Sequence, residues 1–169
     1  MASGDIKLVY ASSAALTITL ASLATDTNLL AGRESTAVDN TTDKYIDYLL
    51  GGKITTGTSP TASKEIRVYV GALIEDSTYP DVLDGTDSNE TITSADIRDA
   101  SLKLAAVLPT NNTSDRTYFF APISVAALFG GTLPKKFVVF VVHNTGVNLN
   151  STGGNHAIYV TGVYENVAA

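Results

Sequence analysis

The chain has 169 residues, enough for one domain that buries a sizeable core without metals or disulfides. Only 17% of it is charged, the formal net charge is −6, and the densest basic spot is Lys135-Lys136, so a nucleic-acid backbone is not an expected partner. Cysteine is absent, which removes disulfides, thiolate nucleophiles and Cys-based zinc sites and points to synthesis in a reducing compartment.

The first predicted element is a strand over 5–10, where Ile6, Leu8 and Tyr10 alternate with other side chains. A second follows over 15–23, with Leu16, Ile18 and Leu20 alternating with Thr17 and Thr19. The stretch 14–24 has the apolar content of a signal-peptide core. That reading is set aside because Asp5 offsets Lys7 ahead of it and the alternation is that of a strand. No run approaches the ~20 apolar residues of a spanning helix, so no membrane partner is expected.

Further strands are predicted over 36–40, 44–57 and 64–74, with Gly51-Gly52 as a turn or bulge within the second of these. In the third, Ile66, Val68 and Val70 face one way and Arg67 and Tyr69 the other. Residues 75–90 form the longest region without regular apolar spacing. A helical turn is expected over 94–100, with Thr93 or Ser94 as N-cap, then a strand over 102–108. The remaining strands are 117–128, whose last residues from Ser124 also suit a short helix, then 136–143 and 156–164. The run from Phe137 to Val142 is continuously apolar, so 136–143 is expected to be buried on both faces. Turn signals every 10 to 15 residues suit a single sandwich or barrel.

Residues that carry chemistry are sparse. His143 and His156 both lie at strand ends beside turns, and each is expected to serve backbone partners rather than a metal. There is no Gly-x-Ser-x-Gly elbow, no phosphate loop and no Trp platform for a sugar. A dispersed pair of carboxylates, as in a glycosidase, is the one enzymatic arrangement that sequence leaves open, with Asp81, Asp84 and Asp87 as candidates. Asp76, Asp81, Asp84, Asp87 and Glu90 cluster in sequence, yet their spacing is not that of an EF-hand, and a solvated acidic loop is the expectation. Asn-x-Thr/Ser sequons at Asn40, Asn89, Asn111, Asn112 and Asn150 read as turn composition. No catalytic residue, metal ligand or cofactor site is assigned.

A series of short blocks carries a resemblance. It runs from Leu20-Ala21-Ser22-Leu23-Ala24 and Ser35-Thr36-Ala37-Val38-Asp39-Asn40 to Tyr45-Ile46-Asp47-Tyr48, Lys53-Ile54-Thr55 and Ile66-Arg67-Val68-Tyr69-Val70. It continues through Tyr79-Pro80-Asp81, Asp84-Gly85-Thr86-Asp87, Leu128-Phe129-Gly130-Gly131 and Leu133-Pro134. It ends with Val141-Val142-His143-Asn144-Thr145-Gly146-Val147 and Tyr159-Val160-Thr161-Gly162-Val163-Tyr164. Over roughly residues 20–164 this resembles small virion structural proteins of tailed bacteriophages, of the capsid decoration or cement class. The resemblance implies an all-β, jelly-roll-like antiparallel β-sandwich with at most one or two short helical turns. It also implies a protein without catalytic residues, made in the host cytoplasm and carried on the outer surface of the capsid. Its implied partners are the major capsid protein and other copies of itself, as a dimer or trimer. Within the blocks, Asp39-Asn40 is expected to close a strand by side-chain bonds to the backbone, Asp47 to need a partner, and Leu133-Pro134 to fix a strand entry.

Residues 15–169 are accordingly expected to be the sandwich and 1–14 a strand-like N-terminal arm. Through Ile6, Leu8 and Tyr10 the arm either adds an edge strand to a sister subunit or capsid protein, or pairs within its own sandwich. The second candidate contact is the 75–90 loop, with Tyr79 as aromatic anchor and Asp81 beside it. The alternative function is a tail- or fibre-associated module binding carbohydrate or a receptor, against which the lack of Trp counts.

Overall fold

The computed structural model describes residues 5–167. In chain order the strands are β1 (Ile6–Tyr10), β2 (Ala14–Ala15), β3 (Ala31–Glu34), β4 (Val38–Asp39), β5 (Asp47–Thr55), β6 (Lys64–Ala72) and β7 (Asn89–Thr91). After α1 (Ala95–Ser101) come β8 (Lys103–Thr110) and β9 (Thr117–Ser124), then α2 (Val125–Leu128), β10 (Lys136–His143) and β11 (Ala157–Val167). They form two antiparallel sheets. Sheet A has the order β1-β11-β5-β9, with β2 also on β11, and sheet B the order β7-β3-β10-β6-β8, with β4 also on β10. With the short β2, β4 and β7 left aside, eight strands remain. Numbered along the chain, they run 1-8-3-6 in one sheet and 2-7-4-5 in the other. This is the strand exchange of a jelly roll, so the expected all-β sandwich is found.

The main core lies between the sheets. Leu50 and Ile54 of β5, Phe120 of β9, and Ile158 and Val160 of β11 meet Ile66, Val68 and Val70 of β6 and Phe137, Val139 and Val141 of β10. The alternate residues of β10, Val138, Phe140 and Val142, point the other way into a second cluster with Leu29, Tyr69, Tyr79, Leu83, Ile92 and Leu102. Phe137 to Val142 are therefore all fully buried, as their unbroken apolar run requires. At ~1.5–3 kcal/mol per buried side chain of this size, β10 is the most stabilising strand for its length.

The second cluster exists because the chain between β6 and β8 folds back over the outer face of sheet B. Its fastenings are polar. Arg33 donates from Nε to Asp87 at 2.6 Å, and Glu34 receives the N–H groups of Asp84 and Gly85. Ser94 caps α1 by accepting from the Ile97 N–H at 3.2 Å. The helix holds Arg98 buried, with Nη1 donating to the Leu29 carbonyl at 2.8 Å and the guanidinium 5.4 Å from the Tyr69 ring centre. Directly after β9, Ser124 caps α2 through the Ala127 N–H.

Three expectations change in detail. The 15–23 segment enters strand pairing only at Ala15. Its alternation is real, with Leu20 buried, Leu16 and Ile18 packed on the main core and Thr17 and Thr19 exposed. Beyond Leu16, however, it is an extended crossing from sheet A to sheet B, and Thr19 ties to Asp87 while Thr17 receives the Thr36 N–H. Of the 36–40 strand only β4 forms, β3 lies ahead of it where no strand was expected, and β7 lies at the end of the region expected to be a loop. Neither β3 nor β7 has apolar alternation. The bulge foreseen at Gly51-Gly52 is present, but Leu50 faces Ile123 and Gly52 faces Phe120, so the extra residue belongs to β9, at Ala121-Pro122. Proline is tolerated there because β9 is an edge strand and the ladder is already interrupted.

Asp39, Asn40 and Asp47 make the side-chain bonds expected of them. Asp39 accepts from the Thr41 N–H, and Asn40 exchanges bonds with the Tyr45 backbone in both directions. Asp47 accepts from the N–H groups of Tyr48 and Ala126, both at 2.8 Å, which ties β5 to α2.

Candidate protein-binding surface

Strand alternation decides what sheet A shows to solvent. Phe120, Ile158 and Val160 point inward, so their neighbours Phe119, Tyr159 and Thr161 must point outward. The same face receives Ile6, Leu8 and Tyr10 from β1, whose register sets Ile6 beside Val167, Leu8 beside Glu165 and Tyr10 beside Val163. Ile6, Leu8, Tyr10, Phe119, Tyr159 and Val167 are 45–73% exposed. Single exposed apolar residues are ordinary, but a concentration of them on one face marks an interaction surface. On this face Val163 is buried beside Tyr10, while the outer face of sheet B lies under the second cluster except at the β8 edge, where Leu104 and Val107 are exposed.

The face is not flat. Ser13, Leu49, Gly51, Pro122, Tyr159 and Thr161 line a groove of about 410 Å³. Gly51 permits it, because a Cβ there would lie only 3.2 Å from the Pro122 backbone across the bulge. Ser13 and Thr161 share a hydroxyl bond of 2.7 Å at the groove wall, so its polar groups are few and paired with each other.

The segment expected to be an arm is described from Asp5 onward, and its residues 1–4 lie outside the described residues. Of its two open roles, pairing within its own sandwich is observed, along β11. The Ala11 N–H bonds the Gly162 carbonyl at 2.8 Å, and inward bonding alternates along an antiparallel strand. Lys7, Val9 and Ala11 thus bond to β11, while the N–H and C=O groups of Ile6, Leu8 and Tyr10 face outward along the open edge of sheet A. Beyond Val163 the β11 strand has no β5 partner, so the outer part of β1 and β11 is a two-stranded ribbon.

The 75–90 loop does not present the contact expected of it. Tyr79 is buried in the second cluster with its ring against Gly85, so it is a core residue and not a surface anchor. Asp81 is exposed, but its two oxygens accept from the Thr93 N–H at 2.7 Å and hydroxyl at 2.8 Å, closing the loop onto the start of α1. Asp84 accepts from Thr86, Asp87 from Arg33 and Thr19, and Asp76 from Lys135. These carboxylates point at separate local donors, and among the described residues no three His, Cys, Asp or Glu side chains converge.

The histidines lie on different sheets and serve the backbone. His143 meets the Leu23 carbonyl through Nε2 and the Thr145 hydroxyl through Nδ1, each at 3.0 Å. His156 accepts from the Thr55 N–H and, through Nε2, donates to the Asn150 carbonyl at 2.8 Å. Burial lowers the pKa of both, that of His143 to about 4.

No protein-family model, no curated protein and no solved structure matches the chain. Of the surface just described, the sequence readily exposes Ile6, Leu8 and Tyr10. Phe119, Tyr159 and Val167 were missed, although Phe119-Phe120 carries a usable signal: adjacent aromatics in a strand cannot both face the core.

Proposed function

We propose that this protein is a non-enzymatic virion structural protein of a tailed bacteriophage, which decorates or cements the capsid by seating the outer face of sheet A on the major capsid protein. The observation that carries the reading is the asymmetry of the sandwich: sheet A leaves six large apolar side chains exposed on its outer face, whereas the second cluster covers the outer face of sheet B at β10 and leaves Leu104 and Val107 exposed at the β8 edge. An interface core of that kind, aromatic at Phe119 and Tyr159 and poor in charge, suits a stable protein contact. The choice of a phage capsid as partner rests on the block resemblance, since a jelly roll by itself hosts many functions. The test is to add the purified protein to capsids of the parent phage that lack it and to count copies per particle. Saturable binding to a fixed number of lattice-related sites is expected, and absence of binding would overturn the reading.

One feature favours a second reading, a carbohydrate- or receptor-binding module of the tail or fibre. The groove combines the Tyr159 ring with the Ser13 and Thr161 hydroxyls, a pairing of aromatic and polar groups that suits a sugar. Reproducible binding on a glycan array, lost in Tyr159→Ala, would favour it over the capsid.

A further inference from the structure

We infer that β1 pairs antiparallel with β1 of a second copy about a twofold axis at Leu8, joining the two A sheets into one continuous sheet. The inference does not rest on the capsid reading. An open edge whose outward N–H and C=O groups belong to Ile6, Leu8 and Tyr10 is a template for another strand, and the described residues provide none. The ribbon formed by β1 and the end of β11 also needs a further strand, because two strands alone are marginal in water.

The identity of that strand follows from the register. With the axis at Leu8, Leu8 faces Leu8, Ile6 faces Tyr10 of the second copy, and Tyr10 faces its Ile6. These are the residues whose backbone groups point outward, so every facing pair exchanges two bonds. Across the joined sheet this face then reads Val167, Ile6, then Tyr10 and the buried Val163 of the second copy, and the same row repeats on the other side of the axis. Each row is apolar from end to end. The middle row is Glu165, Leu8, Leu8, Glu165, which holds the two carboxylates apart by two leucines. On the opposite face Lys7 meets Val9. An axis at Lys7 would set two ammonium groups directly opposite, which costs stability, so the charge pattern selects Leu8 over that register.

The chain's lack of cysteine makes the test clean. In Leu8→Cys the two sulfurs of the pair are the only thiols. Facing Cα atoms of a bonded antiparallel pair lie about 5.5 Å apart, within the roughly 4.4–6.8 Å that a disulfide spans. Mild oxidation is expected to give a covalent dimer. Ile6→Cys, with its twin about 13 Å away along the strand, is expected to give none by itself but to cross-link when mixed with Tyr10→Cys. Leu8→Pro provides a second arm. It deletes an outward N–H and leaves every β1–β11 bond intact, so the monomer is expected to keep its circular dichroism spectrum. In analytical ultracentrifugation, the dimer boundary of the parent protein is expected to vanish in Leu8→Pro. A parent protein that is monomeric and does not cross-link through Leu8→Cys would overturn the inference, as would a dimer that Leu8→Pro leaves unchanged.

Discussion

Glu34, fully buried on β3, accepts the N–H of Gly85 at 2.7 Å and so pins the crossing loop over sheet B. Burial raises its pKa from 4.5 to about 7, against the pull of the Gly85 and Asp84 N–H groups and with the Asp84 and Glu90 charges adding to the rise. The protonated form is therefore the one that the fold favours. Its contribution to stability is fully present below pH 4.5 and is lost as pH rises through about 7. His143 acts oppositely. Burial lowers its pKa from 6.5 to about 4, so its contribution is present above pH 6.5 and lost as pH falls through about 4. Because the two overlap, the prediction is a difference. The melting temperature of the parent protein minus that of Glu34→Gln should fall steadily between pH 4.5 and about 7. A flat difference would refute the assignment.

Arg98 should be the costliest charge to remove. It is buried, forks onto Asp99 through Nε and Nη2, donates to the Leu29 carbonyl and lies over Tyr69. Arg98→Ala leaves that carbonyl unmet and opens the second cluster, at an expected cost of about 3 kcal/mol in urea unfolding. Arg98→Lys should recover little of it, since an ammonium cannot reproduce the fork.

Phe119→Ser and Tyr159→Ser should separate binding from folding. Both side chains are exposed, so stability should change by less than ~0.5 kcal/mol. If the face of sheet A seats on the capsid, each should weaken binding by roughly tenfold or more, read as the concentration needed to fill the particles.

Gly162 lies under the ring of Tyr45, where a Cβ would run into the ring carbons. That ring packs edge-on against Tyr48 at 5.2 Å, and Tyr48 against Phe137 at 5.6 Å. Gly162→Ala should therefore cost ~1–3 kcal/mol by displacing the stack. Combined with Tyr45→Ala the loss should be far less than additive, because the clash disappears with the ring.

Strands that bury one face or two were legible in the sequence, because alternation or an unbroken apolar run is what such burial demands. The 136–143 strand and both short helices are found at or within a residue or two of their expected bounds. What failed was the inference from alternation to pairing. Residues 16–20 alternate because one side packs on the core, yet their backbone crosses between sheets and Thr19 bonds to a side chain, Asp87. Tyr79 misled for a related reason: an aromatic in a polar loop reads as exposed unless the loop is known to fold back on a sheet. The edge at β1 was foreseen as a strand. Which of its residues direct their backbone outward depends on a single bond, Ala11 to Gly162, that composition does not encode.

The pairing of β1 with β11 also sets an order of events. During synthesis Ile6, Leu8 and Tyr10 leave the ribosome long before Val163, Glu165 and Val167, the residues that they lie beside. At ~5–20 residues per second the delay is on the order of ten seconds, during which β1 has apolar side chains and no native neighbour. Sheet A, with its open edge at β1, is thus also the last to close, and pairing of β1 between nascent chains competes with closure throughout that interval.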